Sequence, residues 1–238
     1  MQPRREAGLL VCLLALCGLV VAGCGSGSNE PAAAKDNGIA SKSPTEIIQA
    51  VKSALRNAGT FHLSGSGTSS SDLFTVDIRV DTRDNKATGT LGINGQQLQL
   101  VRIGTVVYVN APAGFYEGNG ATPTQAALVG GRWLKASTSD AEFAEFTEFT
   151  DVDKLLTPDA EVTKGDTTRV NGHAALALVD GKGTEDEGTM FVRTTGDPLP
   201  VQVKGGGKES GSLNFDSFGT PVEATAPAGA VDLSQLTG

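Results

Sequence analysis

The sequence predicts an α+β protein that is mostly β, with an antiparallel sheet and a few helices. Aromatic residues make up only 5% of the chain and glycine is abundant at 31 residues, while frequent Thr and Val favour strands joined by tight turns. Apolar and polar residues alternate over 74–80, which gives a strand one buried and one solvated face. Asn94-Gly95 and Asn171-Gly172 supply the positive φ values that tight hairpin turns require.

The N-terminal segment has the features of an export signal followed by a lipidation site. Arg4 and Arg5 precede an apolar run over 9–21, which is shorter than the roughly 20 residues that span a bilayer. Val21-Ala22-Gly23-Cys24 resembles the lipobox of bacterial lipoproteins, in which the cysteine is acylated, for example with palmitate, and the preceding peptide is removed. We therefore expect residues 1–23 to be a signal peptide and Cys24 to be lipidated. The alternative is an ordinary small-residue cleavage site followed by an unrelated cysteine.

Export and charge limit the location and the partners of the chain. Of 19 basic and 27 acidic residues, Arg4, Arg5 and Glu6 would leave with the signal peptide, so 17 and 26 remain and the formal net charge becomes −9. This balance disfavours nucleic acid as a partner. Cys12 and Cys17 would also be removed, which excludes a disulfide within the mature chain. The expected location is the extracytoplasmic side of the cell membrane, held there by the lipid anchor.

The mature chain is predicted to consist of a flexible tether and one domain. Residues 24–42 are rich in Gly, Ser and Ala and form the tether, and residues 43–238 form the domain. Ser43-Pro44-Thr45-Glu46 is a capping box with a proline at the first helical position, so a helix begins here and ends near Gly59.

Turn residues then divide the rest of the domain into strands. A strand begins near Phe61, a long loop is expected over 111–130, a short helix after Ser139, and a separate turn over 151–156. The tail from Pro221 is expected to pack on an edge of the sheet. The remaining predicted strands are 74–80, 86–93, 96–103, 105–110, 132–135, 160–169, 173–180, 188–194, 199–204 and 210–217.

Catalytic and metal-binding motifs are absent from the sequence. The only histidines, His62 and His173, lie in strand-like segments without a surrounding motif, and there is no nucleophile elbow, phosphate loop or zinc helix. We therefore expect a protein that is not an enzyme and that has no cofactor and no metal.

The order of short motifs resembles the LppX/LprG family of actinobacterial lipoproteins, which are themselves similar to the LolA lipoprotein carriers. The resemblance covers roughly residues 43–232, and it depends on the order of the motifs because none is specific alone. After the lipobox and the capped helix, the motifs are Gly59-Thr60-Phe61-His62, Tyr108-Val109, Gly131-Arg132-Trp133, Val170-Asn171-Gly172-His173, Asp197-Pro198-Leu199-Pro200 and Phe215-Asp216-Ser217-Phe218-Gly219-Thr220-Pro221-Val222.

This resemblance implies a strongly curved half-barrel sheet with helices on its concave face, enclosing a hydrophobic cavity. The implied ligands are acylated lipids or glycolipids carried to the outer cell envelope by a monomer, with a membrane lipid exporter as partner. Periodicity alone favours a packed core instead, and the alternative function is a structural or interaction lipoprotein of the cell surface. The candidate cavity residues are Ile47, Val51, Leu55, Phe74, Val76, Ile78, Val80, Leu98, Leu100, Phe143 and Phe146.

Overall fold

Twelve strands of the described chain form one curved, open sheet, and helices cover one of its faces. The structure is a computed structural model that describes residues 35–69, 72–140, 149–206 and 210–233. The predicted signal peptide, Cys24, Phe143 and Phe146 lie outside these ranges. Within them, no helix combines the length and apolar character needed to cross a membrane.

Four α-helices accompany the strands in the described ranges. The helices are α1 Pro44–Ala58, α2 Ala113–Gly118, α3 Pro123–Val129 and α4 Val152–Leu155, and a 3₁₀ turn occupies Ile39–Ser41. The strands are β1 Thr60–Ser69, β2 Asp72–Asp81, β3 Lys86–Ile93, β4 Gln96–Ile103, β5 Val106–Asn110, β6 Trp133–Ser137, β7 Val162–Val170, β8 His173–Asp180, β9 Gly188–Arg193, β10 Pro200–Gly205, β11 Ser210–Asp216 and β12 Val231–Asp232.

The sheet is built from two series of hairpins that meet at its centre. Its strand order is β12-β6-β5-β4-β3-β2-β1-β11-β10-β9-β8-β7. All neighbours are antiparallel except β12 and β6, which are parallel. β1 and β11 pair over seven residues, from His62 with Asp216 to Thr68 with Ser210. The predicted fold class, a mostly β α+β half-barrel, is therefore confirmed.

One face of the sheet and α1 share a hydrophobic core. The capping box predicted at Ser43 is present, because Ser43 and Glu46 each accept a hydrogen bond from the backbone N–H of the other. α1 then places Ile47, Val51 and Leu55, all fully buried, against the inward side chains of the strands. Packing of an amphipathic helix face against a sheet is the main source of stability for such a layer.

Several local predictions agree closely with the structure. β3 and β4 have the predicted bounds, and both Asn94-Gly95 and Asn171-Gly172 have two successive positive φ values. The tail does pack on an edge, because Val231 and Asp232 pair with Leu134 and Lys135 of β6.

The prediction of a loop over 111–130 is wrong. This segment contains α2 and α3, and α3 begins with a second capping box in which Thr122 and Gln125 bond reciprocally, with Pro123 at the first helical position. The signal is the same as at Ser43, but the many Gly and Pro residues around it obscured the pattern. The predicted turn over 151–156 is the one-turn helix α4, capped by Asp151. Most of the helix predicted after Ser139 lies outside the described residues.

The folded part also begins earlier than the tether boundary at 42 suggested. Asp36 forms a β-bridge with Thr195, and the side-chain amide of Asn37 donates to the carbonyl groups of Arg193 and Gly196 at 3.0 Å each. Ile39 is 2% exposed and belongs to the core. A single apolar residue and its anchored neighbours therefore attach residues 36–42 to the domain.

Candidate functional site

The strand registers define two different ends of the sheet. β1, β3, β5, β8 and β10 finish at one end, which we call the rim, and their antiparallel partners begin there. The opposite end is called the closed end. α1 finishes at the closed end, because Gly59 leads directly into β1. It begins at the rim side, where Lys164 near the start of β7 donates to the Lys42 carbonyl.

Three adjoining cavities lie at the rim. The aliphatic cavity has a volume of about 230 Å³, the large cavity about 700 Å³ and the small cavity about 140 Å³. Val203 and Gly205 line both the aliphatic and the small cavity, while Phe74 and Gly211 line both the small and the large cavity. The small cavity therefore adjoins both of the others, and the large one is within the usual size range of ligand pockets. Most side chains that line the large cavity, such as Ser66, Thr68 and Thr75, point to the face of the sheet opposite the core.

The aliphatic cavity lies between helical segments and the strands β7 to β10. One wall is the α4 segment, defined as residues 152–159, which contributes Leu155 to Asp159. The sheet forms the rest of the wall, together with Ile48 of α1. Seven of its apolar lining residues belong to the core cluster or pack against it: Ile48, Leu155, Leu156, Val162, Leu178, Met190 and Val203.

A row of four glycines crosses the sheet at the rim. Gly188 of β9 pairs with Gly205 of β10, Gly205 with Gly211 of β11, and Gly211 with Gly67 of β1. The next member, Phe74, packs against the core. Since directly paired residues point to the same face, this row of four strands has no side chain on the helix-covered face. Each of the three cavities is lined by two of these glycines.

The glycines at the β1–β11 pair allow the backbones to approach closely. A Cβ atom at Gly67 would lie 2.3 Å from the carbonyl oxygen of Ser210, and one at Gly211 would lie 2.3 Å from the Cα of Gly67. Gly211 also has a φ of +127°, which disfavours any other residue. At Gly188, in contrast, a Cβ would meet no atom within 4 Å. A side chain at Gly188 would therefore enter open space at the wall of the aliphatic cavity.

Electrostatic contacts attach the α4 segment to α1. The Arg56 guanidinium donates to both carboxylate oxygens of Asp153 at 2.6 Å, and the nearly buried Lys52 ammonium lies 3.6 Å from Asp153 Oδ1. Lys52 also donates to the Asp153 carbonyl at 3.2 Å. The hydrogen bond from Arg56 lowers the pKa of the Asp153 carboxyl, so this carboxyl is ionised over the neutral range. These bonds hold one wall of the aliphatic cavity in place.

Large side chains fill the closed end, and a side-chain hydrogen bond caps the end of α1 there. The rings of Phe61 and Phe215 pack with centroids 5.8 Å apart, and Arg193 lies over the Phe218 ring at 5.0 Å. Arg83 donates to the carbonyl of Asn57 at 2.8 Å, at the end of α1. This satisfies a helix terminus and places a cation where the helix dipole favours one. Side chains therefore occupy the closed end, whereas the rim contains the cavities.

The two histidines do not contribute to the cavities. His62 lies on β1 with Nδ1 2.9 Å from Asp216 Oδ1 and Nε2 3.1 Å from Asp77 Oδ1, so it links three strands. Burial alone would raise the pKa of Asp216, but hydrogen bonds from Ser217 and His62 lower it overall. Burial and the charge of Arg193 lower the pKa of His173. Within the described residues, no three His, Cys, Asp or Glu side chains cluster in a way that could hold a metal ion.

The structure separates the predicted cavity residues into two groups. Phe74 alone among them lines the large and small cavities described above. The other candidates within the described ranges lie in the packed core, each no more than 3% exposed: Ile47, Val51, Leu55, Val76, Ile78, Val80, Leu98 and Leu100. Their role as lipid contacts stays a prediction.

Sequence reasoning missed most of the cavity wall. Met190 and Leu213 are half-buried, and each lies two residues from a fully buried residue on the same face of its strand, Val192 and Phe215. Val203 of β10 is half-buried as well and pairs with both Met190 and Leu213. The alternation identifies the inward positions of these strands. It cannot distinguish a packed position from a cavity position, because that depends on what lies opposite after folding.

A curved open sheet with helices over one face and cavities along its rim defines a half-barrel fold. Solved structures share this fold. LprF from Mycobacterium bovis superposes with a TM-score of 0.51 at 13% identity, over 78% of this chain and 97% of that protein. The lipoprotein LppX from Mycobacterium tuberculosis gives a TM-score of 0.51 at 14% identity, over 76% of this chain and 98% of that protein. No protein-family model and no curated protein matches the sequence. The chain therefore has an LppX/LprG-like fold.

Proposed function

We propose that this protein is a lipid-anchored, extracytoplasmic carrier that binds the acyl chain of a lipid in the rim cavities without catalytic turnover. The observation that carries the proposal is the aliphatic cavity. It adjoins the row of four glycines, in which four neighbouring strands have no side chain on the helix-covered face. Such a row leaves room for a chain to pass from the aliphatic cavity towards the small cavity.

The lining of the cavities supports an apolar ligand. Met190, Val203 and Leu213 are only half-buried although they point to the same face as the core. Covering their apolar surface with a bound chain would contribute roughly 25 cal/mol for each Å² removed from water. The four glycines of the row leave this space without side chains of the protein, whereas interiors otherwise pack without sizeable voids.

The anchor and the partners complete the proposal. Acylated Cys24 would hold the carrier at the membrane, and a membrane lipid exporter would supply its cargo. In this proposal the carrier is a monomer. The cargo is an acylated lipid or glycolipid destined for the outer cell envelope.

Filling the aliphatic cavity tests the binding proposal. In Gly188→Leu, the new side chain meets no backbone and occupies the space expected for the acyl chain. Gly118→Leu is a matched control, since Gly118 lies in α2, lines none of the three cavities, and a Cβ there would also meet no atom within 4 Å. The probe is an uncharged pyrene-labelled monoacylglycerol, titrated into delipidated full-length protein and followed by fluorescence.

We expect Gly188→Leu to weaken probe binding at least about tenfold with an unchanged melting temperature, and Gly118→Leu to bind as the wild type does. Equal affinity in all three proteins, or no binding to the wild type, would refute the proposal and favour a structural or interaction lipoprotein.

The anchor is tested separately by Cys24→Ala. One residue is the only covalent link to the bilayer after cleavage, so the variant should move from the detergent phase to the aqueous phase on phase partitioning. Retention in the detergent phase with an intact N-terminus would show that the apolar run over 9–21 is an uncleaved anchor.

A further inference from the structure

The aliphatic cavity has an acidic wall as well as an apolar one. Asp159, Asp180, Asp186 and Glu187 line it, together with a single cation, Lys204. These carboxylates come from three neighbouring rim segments: the residues before β7, the end of β8 and the loop between β8 and β9. The aliphatic side chains come from α1, the α4 segment and the strands. One cavity therefore combines an apolar lining with a mouth of net negative charge.

Backbone hydrogen bonds fix two of these carboxylates in position. The two oxygens of Asp180 accept from the N–H groups of Asp159 and Ala160 at 2.9 and 3.0 Å. Glu187 Oε2 accepts from the Gly183 N–H at 2.8 Å. Each carboxylate has about four acceptor sites, so these bonds leave further capacity while they hold the charge at the mouth. Asp180 also lies in the same cross-strand row as Gly188, on the helix-covered face.

The large cavity differs in its charge. Its polar lining consists of hydroxyl and carboxamide groups, from Ser66, Thr68, Thr75, Gln96, Gln97 and Ser210. No ionisable side chain lines it. The negative charge is therefore specific to the aliphatic cavity and is not a general property of the rim cavities.

We propose that the aliphatic cavity selects lipids whose headgroup carries a positively charged amine and discriminates against anionic headgroups. This inference rests on the proposed function, since it places the acyl chain against the aliphatic wall and the headgroup at the acidic mouth. An ammonium group at the mouth gains charge-assisted hydrogen bonds to carboxylates. A carboxylate or phosphate there meets like charges, which costs binding energy and slows association.

Three probes with the same dodecyl chain test the headgroup preference. Dodecylamine is cationic at neutral pH because alkylamines titrate near the value of lysine, about 10.4. Monododecanoylglycerol is neutral and dodecanoate is anionic. Each competes with the pyrene-labelled monoacylglycerol on delipidated full-length protein at submicellar concentration. We expect dodecylamine to bind at least about tenfold more tightly than dodecanoate, with the neutral probe between them. Added salt should reduce this difference, because it screens partly exposed charges.

Paired charge removal locates the origin of the preference. Asp186→Asn with Glu187→Gln should bring the affinities of dodecylamine and dodecanoate to within about threefold and leave the neutral probe unchanged. The control pair, Glu117→Gln with Asp166→Asn, removes the same charge from residues outside the three cavities and should keep the preference.

The outcomes separate the two proposals. Equal binding of the two charged probes to the wild type, tighter binding of dodecanoate, or the same loss in both variant pairs overturns the headgroup inference. Binding of the neutral probe in those cases leaves the proposed function standing. If the neutral probe does not bind to the wild type, the proposed function fails and the headgroup inference fails with it.

Discussion

One cross-strand row of the sheet has a packed half and an open half. Val76, Leu91 and Leu98 pair across β2, β3 and β4 and are 3%, 4% and 1% exposed. In the same row, Met190, Val203 and Leu213 pair across β9, β10 and β11 and are only half-buried. Gly65 joins the two halves. Residues of the same apolar type at the same depth thus have different surroundings.

The difference comes from what lies towards the rim from each half. The next core-facing row towards the rim contains Phe74 on β2 and Ile93 on β3, and both side chains pack against the core. On β9, β10 and β11 the same row contains only Gly188, Gly205 and Gly211. The open half therefore lacks the side chains that would close it, and the cavities occur there. Where a sheet face is lined with small residues at its edge, the neighbouring apolar residues become candidates for ligand contact.

Truncating a side chain in each half should give the largest contrast. Leu98→Ala removes an almost fully buried side chain from the packed half, and we expect a loss of about 2–5 kcal/mol in the free energy of unfolding. Met190→Ala in the open half should cost less than about 1.5 kcal/mol, because part of this side chain already faces a cavity. Denaturant titration of both variants measures the difference. Equal losses would mean that the two halves are packed alike.

Enlarging a side chain should lower stability in the packed half and probe binding in the open half. Val76→Trp places a large ring among packed atoms, so we expect a loss of about 1–3 kcal/mol or more. Val203→Trp points into two cavities, so its melting temperature should stay within a few degrees of the wild type while binding of the pyrene-labelled monoacylglycerol is lost. Thermal unfolding and probe titration on the same samples test both statements. A strongly destabilised Val203→Trp would show that the open half closes in solution.

The sequence predicted the sheet better than the cavity, and the reason is physical. Asn94-Gly95 and the Ser43 capping box act through neighbouring residues, so their outcome depends little on the rest of the fold. Whether Val76 or Val203 faces a cavity depends on residues far away in the chain. The glycines at 67, 188, 205 and 211 are visible in the sequence, but only the strand registers bring them into one row. The clearest alternation, in β2, marked the packed half.

Two further local signals in the sequence correspond to structure. Thr122-Pro123 with Gln125 repeats the pattern of the Ser43 capping box, and it marks the start of α3. Ile39 is the one large apolar residue between Cys24 and Ser43, and its burial shows that a single such residue can attach a polar segment to a domain.

The smallest expected effect concerns the α4 segment, which forms one wall of the aliphatic cavity. Asp153→Asn removes the carboxylate that Arg56 and Lys52 contact, and a partly exposed ion pair contributes at most about 1 kcal/mol. We expect hydrogen exchange to increase over residues 152–159 and to stay unchanged over β2 to β4. Faster exchange in both regions would indicate global destabilisation instead.

The same contact gives a pH dependence with a defined sign. The pKa of Asp153 is lowered in the folded state by the hydrogen bond from Arg56. Its stabilising contribution is therefore fully present above the unfolded value of about 3.9 and is lost as the pH falls through the lower folded value. The difference in melting temperature between wild type and Asp153→Asn should be constant from about pH 7 to pH 5 and should shrink in more acidic solution. A difference that grows on acidification would contradict the assigned contact.

Photolabelling tests the central claim, that an acyl chain occupies the open half of the sheet. The probe is an uncharged monoacylglycerol with a diazirine in its acyl chain, bound to delipidated full-length protein, activated by light and located by peptide mass spectrometry. We expect label on peptides that contain Gly188 to Met190 and Val203 to Gly205, and its loss in Gly188→Leu. Label confined to peptides of the packed half around Val76 and Leu98, or label that is unchanged in Gly188→Leu, would contradict the claim.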